Sequence, residues 1–218
     1  MKYILKEDIL KKGHRCRPGG RYSKASITIH STGNSSSIAR GERAWLDSCE
    51  NNRDASWHYV VGNGVVIQAV PEEEEAWHCG ATEGNRHSIG IEICESGDRR
   101  AVLETAAAFV ADLLKKYGWG AEKLKRHYDW TGKDCPRILI NKKFVTGGMN
   151  WSWFIKTVKD NMEGEMVESS VVRVDGKMWM VERILKDGTN YIKARDIAAA
   201  LGYSISSEGS IAVFTKKK

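Results

Sequence analysis

The chain has 218 residues, of which 41% are hydrophobic and 28% are charged, the profile of a globular protein with one well-buried domain and room for a smaller second one. The formal net charge of +6 favours an anionic partner without naming it. The basic residues are scattered without a nucleic-acid motif, and no apolar stretch approaches the length of a membrane span, so neither nucleic acid nor membrane insertion is expected.

The amino-terminal stretch and the cysteines indicate synthesis in the cytoplasm. The opening residues, Met1 to Asp8, already include acidic and basic side chains where a secretory signal would have an apolar stretch. Five cysteines are an odd number in such a chain, and we expect them to be reduced. Cys135 has a candidate function, discussed below, whereas the others are expected to be small core residues: Cys16, Cys49, Cys79 and Cys94.

Two stretches of alternating residues predict strands with a polar side chain on their second face. The first, Ser26 to His30, ends at a histidine beside a Gly/Ser-rich loop, where a histidine is either structural or a ligand. The second, Ser88 to Cys94, places Glu92 between Gly90 and Cys94. That face is either an exposed strand surface or a site that a neighbouring group approaches closely.

The other elements interleave with these strands. A hairpin is predicted from Trp57 to Val70, and the run Glu72 to Glu75 is expected to be a solvated patch. Helices are predicted at Ser37 to Glu50, Ala101 to Tyr117 and Asn150 to Asp160. Interleaved strands and helices predict an α/β domain over residues 1–160.

A different module follows a linker at residues 161–168. Residues 169–218 predict a hairpin, a short helix from Arg195 to Leu201 and a closing strand, which together make a small α+β module. A module of this size is marginal alone, so we expect it to self-associate or to lean on the first domain. A second translation start near Met166, which would release a free copy of the module, is a further hypothesis.

The segment from Arg126 to Pro136 carries the most chemistry. It offers an imidazole at His127, an ammonium at Lys133 and a thiol at Cys135. Imidazole and thiolate are good zinc ligands, and Gly132 permits the bend that would bring them together. The alternative is a surface loop with a histidine and a structural cysteine.

The first 160 residues or so resemble the zinc-dependent N-acetylmuramoyl-L-alanine amidases, in the branch that includes phage lysozymes and peptidoglycan-recognition proteins. The ordered set that carries the resemblance is Ile29-His30, Trp57-His58-Tyr59, Trp77-His78, Ile91-Glu92, His127 and Lys133-Asp134-Cys135-Pro136. The resemblance implies a central mixed β-sheet flanked by helices. It also implies that zinc is bound by three ligands: His30, His127 and Cys135.

The resemblance further implies a reaction and its residues. Water activated by zinc would hydrolyse the bond between N-acetylmuramic acid and L-alanine of peptidoglycan. Some relatives have a catalytic tyrosine where this chain has Trp57, and the proton-transfer role is then implied for Glu92. Lys133 would stabilise the charge on the scissile carbonyl, and Trp77 and His78 would line the substrate groove.

The expected biological role is that of a phage endolysin, made in the host cytoplasm and acting on the wall after release. A non-catalytic peptidoglycan-binding protein and a cytoplasmic wall-recycling amidase remain open alternatives. A zinc peptidase is disfavoured because the sequence has no His-Glu-x-x-His motif, and a nucleobase deaminase because it has no Pro-Cys-x-x-Cys motif.

The last fifty residues resemble, more loosely, the repeat of copper amine oxidase N-terminal-like domains. The matching stretches are Asp187 to Ile192 and Arg195 to Gly202. The segment has no His or Cys, so the resemblance implies attachment to the wall, to peptidoglycan or its anionic polymers, and not copper chemistry.

Overall fold

The computed structural model describes residues 3–48, 51–163, 167–186, 189–208 and 211–217. The chain forms two compact units, Met1–Met162 and Glu163–Lys218. Each unit has its own sheets.

A six-stranded sheet forms the centre of the first unit. Its strands, in chain order, are β1 (Ile4–Glu7), β2 (Ser26–Ser31), β3 (Tyr59–Gly62), β4 (Val65–Gln68), β5 (Ser88–Ile93) and β6 (Leu124–Arg126). Their order across the sheet is β1-β4-β3-β5-β2-β6. Only the β3–β4 hairpin is antiparallel, and all other neighbours run parallel. The expected mixed sheet is therefore confirmed.

Helices cover both faces of this sheet. They are α1 (Ala39–Asp47), α2 (Thr82–His87), α3 (Arg99–Tyr117), α4 (Tyr128–Thr131), α5 (Arg137–Ile140) and α6 (Trp151–Glu163). One apolar cluster joins α3 and α6 to the isoleucines of β2 and β5, and a second joins α1 to the hairpin through Leu46, Val60 and Ile67. No helix within the described ranges is long and apolar enough to cross a membrane.

Helix α3 shows why this part of the chain folds as predicted. Asp98 caps it by accepting hydrogen bonds from the backbone N–H groups of Arg100 and Ala101 at 2.9 and 3.2 Å. Gly118 ends it in the left-handed conformation, at φ 65°. The helix buries eleven residues, with small alanines among them that allow close packing on the sheet.

The predicted solvated patch at residues 72–75 is wrong for three of its four members, since only Glu73 is exposed. Glu72 is only 7% exposed and accepts hydrogen bonds from Tyr59, Tyr117 and Lys116. Glu74 forms a bidentate ion pair with Arg17, at 2.6 and 2.7 Å. Partners distant in sequence bind both carboxylates, and a run of four glutamates gives no sign of those partners.

The cysteines of the first unit follow the expectation as far as they are described. Cys16, Cys79, Cys94 and Cys135 are buried and free of disulfide bonds. Cys49 lies outside the described residues.

The second unit is a small α+β module. Strands β7 (Val167–Val174), β8 (Lys177–Lys186) and β9 (Thr189–Ile192) form an antiparallel sheet, followed by helix α7 (Ala194–Ala200) and a hairpin of β10 (Tyr203–Glu208) and β11 (Ile211–Lys216). The first hairpin turns at Asp175 and Gly176, both with positive φ, as expected for Asp-Gly. The predicted linker is narrower than residues 161–168, because α6 runs to Glu163 and β7 begins at Val167. Met166 lies outside the described residues.

Candidate active site

Three polar side chains gather where parallel strands end. His30 lies near the end of β2, and Glu92 is its register partner on β5. His127 directly follows β6 and donates its backbone N–H to the carbonyl of Ile29 at 3.2 Å. Because the carboxyl ends of parallel strands meet at one edge of a sheet, the topology brings these residues together.

The loop after α4 brings Cys135 to the same edge. Gly132, at φ 74°, ends α4 and turns the chain back. The backbone N–H of Tyr128 then donates to the carbonyl of Cys135 at 2.9 Å. On the strand side, the backbone N–H of Ser31 donates to the Cys135 sulfur at 3.5 Å. The thiol is therefore fixed to both the loop and the end of β2.

The potential ligand atoms of His30, His127 and Cys135 all lie within 4.8 Å of one another. His30 Nδ1 is 3.0 Å from His127 Nδ1 and 3.8 Å from Cys135 Sγ. Ligands at the usual zinc–nitrogen and zinc–sulfur distances in a tetrahedron are separated by about 3.3–3.6 Å. Two imidazole nitrogens and a sulfur at this spacing fit a zinc ion with a fourth position open.

Burial controls the charge of the three side chains. Burial, with nearby His78, His127 and Lys133, holds the pKa of His30 well below its usual range. Burial and Lys133 lower the pKa of His127 to about 4, although the backbone of Cys79 opposes this as a hydrogen-bond acceptor. Burial and Glu92 raise the pKa of the Cys135 thiol to about 12. Before a cation binds, the group therefore holds two neutral imidazoles and a protonated thiol at neutral pH.

Glu92 carries the carboxylate of the site. Burial raises its pKa to about 8, Glu42 and Glu95 add to the effect, and Lys133 opposes it. Its Oε2 atom is buried and has no hydrogen-bond partner among the described residues. A carboxyl group with a raised pKa and a free oxygen is suited to proton transfer.

These residues line a cavity of about 730 Å³. Lys133 is exposed at its rim, and Trp77 and His78 both line it, so all the residues singled out in the sequence lie at one place. The loop that carries Trp77 is tied to Ser56, whose Oγ accepts from the Trp77 N–H at 3.0 Å. A substrate-binding role for Trp77 and His78 stays a prediction.

Part of the cavity wall was missed in the sequence. Trp45 and Trp57 stack with ring centroids 6.3 Å apart and planes 5° from parallel. Trp57 belongs to the ordered set that carries the family resemblance, whereas Trp45 lies in a predicted helix at a spacing that suits a core. Further lining residues had no distinguishing pattern: Asn34, Glu42, Asn52 and Arg53.

A mixed sheet with a three-ligand group and a buried carboxyl at its carboxyl edge defines an α/β protein with a candidate hydrolytic metal centre. The family model described as N-acetylmuramoyl-L-alanine amidase matches residues 22–138. The chain belongs to this family, whose members generally depend on zinc.

Individual relatives agree with this assignment. The chain is 42% identical over 127 residues to N-acetylmuramoyl-L-alanine amidase CwlA of Bacillus subtilis, covering 55% of this chain and 46% of CwlA. It is 28% identical over 151 residues to endolysin PlyTW of Staphylococcus phage Twort, covering 61% of this chain and 32% of that protein. It thus spans less than half the length of these curated relatives.

The catalytic domain of XlyA is a similar solved structure. It superposes with a TM-score of 0.63 at 29% identity, over 71% of this chain and 99% of the XlyA domain. The first unit therefore has the fold of a complete amidase catalytic domain.

Proposed function

We propose that this chain hydrolyses the amide bond between N-acetylmuramic acid and L-alanine in peptidoglycan. The observation that carries the proposal is the convergence of His30, His127, Cys135 and Glu92 on one cavity, in a domain of the amidase family. The donor set suits zinc, and the cavity is large enough to enclose part of a glycopeptide.

His30, His127 and Cys135 would hold the zinc ion. Zinc bound there would supply Lewis-acid polarisation of the scissile carbonyl and a more acidic water. Its positive charge would also lower the pKa of Glu92 from about 8, toward the range in which a carboxylate acts as a base at neutral pH.

Glu92 and Lys133 would share the remaining chemistry. Glu92 takes a proton from the attacking water and delivers it to the nitrogen of the leaving L-alanine. The Lys133 ammonium stabilises the negative charge that develops on the carbonyl oxygen. Support comes from the position of Lys133, which lines the same cavity as His30, Glu92 and Cys135.

The biological role that we propose is lysis of a host wall by a phage endolysin. The similarity to an endolysin of a staphylococcal phage supports it. In this role the enzyme is made in the host cytoplasm and reaches peptidoglycan after release through the membrane.

We propose that the second unit is a wall-attachment or self-association module. Its compactness as a unit of its own and its different architecture support a distinct task. Peptidoglycan and anionic wall polymers are the proposed ligands; the net charge of +6 that favours an anionic partner belongs to the whole chain.

Replacement of Glu92 tests the reaction. Glu92→Gln should retain one equivalent of zinc and the wild-type circular dichroism spectrum, while hydrolysis of purified walls slows by roughly 10²–10⁴-fold, the usual contribution of a general base. Glu104→Gln, an exposed carboxylate on α3, is the matched control and should match the wild type. Near wild-type hydrolysis by Glu92→Gln would assign the proton transfer to another group.

A further inference from the structure

His30 uses both of its ring nitrogens. Nδ1 faces His127 and Cys135, whereas Nε2 lies 2.9 Å from Nδ1 of His78. The two rings meet edge to face, with centroids 5.1 Å apart and planes at 87°. His78 therefore contacts the opposite side of the His30 ring from His127 and Cys135, the other two proposed zinc ligands.

The contact with His78 bears on which nitrogen of His30 carries the proton. A neutral imidazole has one N–H and one lone pair. If His78 Nδ1 accepts, His30 must carry its proton on Nε2, and Nδ1 presents a lone pair to the ligand group. The other His30 tautomer would direct an N–H at His127 Nδ1 and Cys135, where a metal ion needs lone pairs.

The fold holds the His78 ring in place. The His78 backbone N–H donates to Asn85 Oδ1 at 3.0 Å, which fixes the loop. The ring lies against Gly90 of β5, where a Cβ atom would come within 2.6 Å of the His78 Cγ atom. Such a separation is far inside van der Waals contact. The predicted close approach of a neighbour at this strand face is thereby confirmed, and the neighbour is His78.

We propose that His78 is a positioning residue, which fixes the tautomer and orientation of His30. Because Gly90 has no side chain, the His78 ring has room to lie in the position that this role requires. The inference rests on the proposed zinc site, and it extends that proposal by naming His78 as the residue that orients the ligand His30. Ligating histidines commonly donate their second N–H to an acceptor, usually a carboxylate, a backbone carbonyl or water, and loss of that acceptor typically costs about 10–100-fold in metal affinity. His78 Nδ1 would take the place of that acceptor here.

Zinc affinity of the full chain, measured by competition with a chromophoric chelator, tests this role. His78→Leu removes the acceptor, and we expect affinity to fall about 10–100-fold. His78→Asn places an amide oxygen near the position of Nδ1, and we expect it to stay within a few-fold of the wild type. Equal affinity of the wild type and His78→Leu would overturn the proposal, as would an equal loss in both variants.

Gly90→Ala supplies a variant in which the His78 side chain is retained. The added methyl group should displace the ring and lower zinc affinity in the same direction as His78→Leu. Gly62→Ala, a glycine-to-alanine change on β3, is the matched control and should keep wild-type affinity. Wild-type zinc affinity in Gly90→Ala would contradict the proposal that the His78 ring must lie against Gly90 to orient His30.

The tautomer is measured directly in the metal-free protein. Long-range ¹⁵N–¹H spectra of ¹⁵N-histidine-labelled protein should show His30 protonated at Nε2 in the wild type and in His78→Asn, and a mixture of tautomers in His78→Leu. A wild-type His30 protonated at Nδ1 would refute the inference. Cys135→Ser separates the two proposals: full zinc retention in that variant would refute the zinc site, while the metal-free spectra would still decide the role of His78.

Discussion

The Cys135 thiol is the residue whose protonation couples most strongly to metal binding. Its pKa is raised to about 12 by burial and by Glu92, so the thiol is protonated at neutral pH in the metal-free protein. The histidine ligands have lowered pKa values and are already neutral. A metal that binds to this group must therefore displace one proton, from the sulfur.

We expect zinc affinity to rise at least about tenfold per pH unit between pH 6 and 8, because the thiol releases one proton far below its pKa and Glu92 releases a further fraction as zinc lowers its pKa from about 8. Chelator competition at fixed pH values, corrected for the chelator's own protonation, measures this slope. In Cys135→Asp the third ligand is a carboxyl, whose ordinary pKa lies far below that of a thiol, and the slope should be shallower than in the wild type. A flat wild-type profile would mean that the thiol is ionised before zinc arrives.

Which site residues could be found from the sequence depends on how distinctive their chemistry is. His30, His127 and Cys135 belong to rare ligand types and occur in an ordered set that resembles a family. Trp45 lines the cavity as well, but an indole at a core-like spacing looks the same whether it faces the core or a cavity. The pairing of His30 with His78 is set by the loop conformation, which no local pattern reports.

At the scale of elements, Glu72 ties the β3–β4 hairpin to helix α3. Its carboxylate accepts from the hydroxyls of Tyr59 and Tyr117, and the Lys116 ammonium approaches at 2.8 Å. Burial by itself would raise the pKa of Glu72, but the hydrogen bonds from Lys116, Tyr117 and Tyr59 outweigh it and leave the pKa below its ordinary value of 4.5. The ionised form is therefore favoured in the folded state.

We expect Glu72→Gln to lower the free energy of unfolding by about 1–3 kcal/mol at pH 7, the cost of disrupting buried hydrogen bonds to a charged group. Since the folded pKa is depressed, this contribution is complete above pH 4.5 and is lost as the pH falls through the folded value. Urea unfolding at pH 7 and at pH 3 measures the size of this contribution and its loss at low pH. Glu73→Gln, whose side chain is 53% exposed, is the control. An undiminished difference between Glu72→Gln and the wild type at pH 3 would contradict the account.

The elements themselves were largely predictable, and the exceptions have physical reasons. Strands β2 and β5 follow from alternating isoleucines, and α3 from its apolar stripe and its cap. Strand β1 was missed because all four of its residues are exposed at the sheet edge, so no alternation marks it. The burial of Glu72 was missed because Tyr117 contributes from 45 residues away.

For the whole molecule, we propose that the first unit hydrolyses peptidoglycan and the second attaches to the wall. Loss of the second unit should therefore change wall binding without changing catalysis. A chain truncated after Glu163 should hydrolyse short soluble muropeptides within about twofold of the full-length rate. Its retention on purified walls should fall by at least about tenfold, because a second contact multiplies affinity. Co-sedimentation with walls measures retention. Equal retention of the two proteins would leave the second unit without a role in wall attachment.

The bond that is cut decides the central claim. Purified Gram-positive walls are digested with the wild-type protein and with Glu92→Gln, and the products are analysed by mass spectrometry together with assays for new amino termini and new reducing sugars. The account predicts new amino-terminal L-alanine, intact glycan strands that carry free lactyl groups, and almost no product from Glu92→Gln. New reducing ends, or amino termini other than L-alanine, would contradict it.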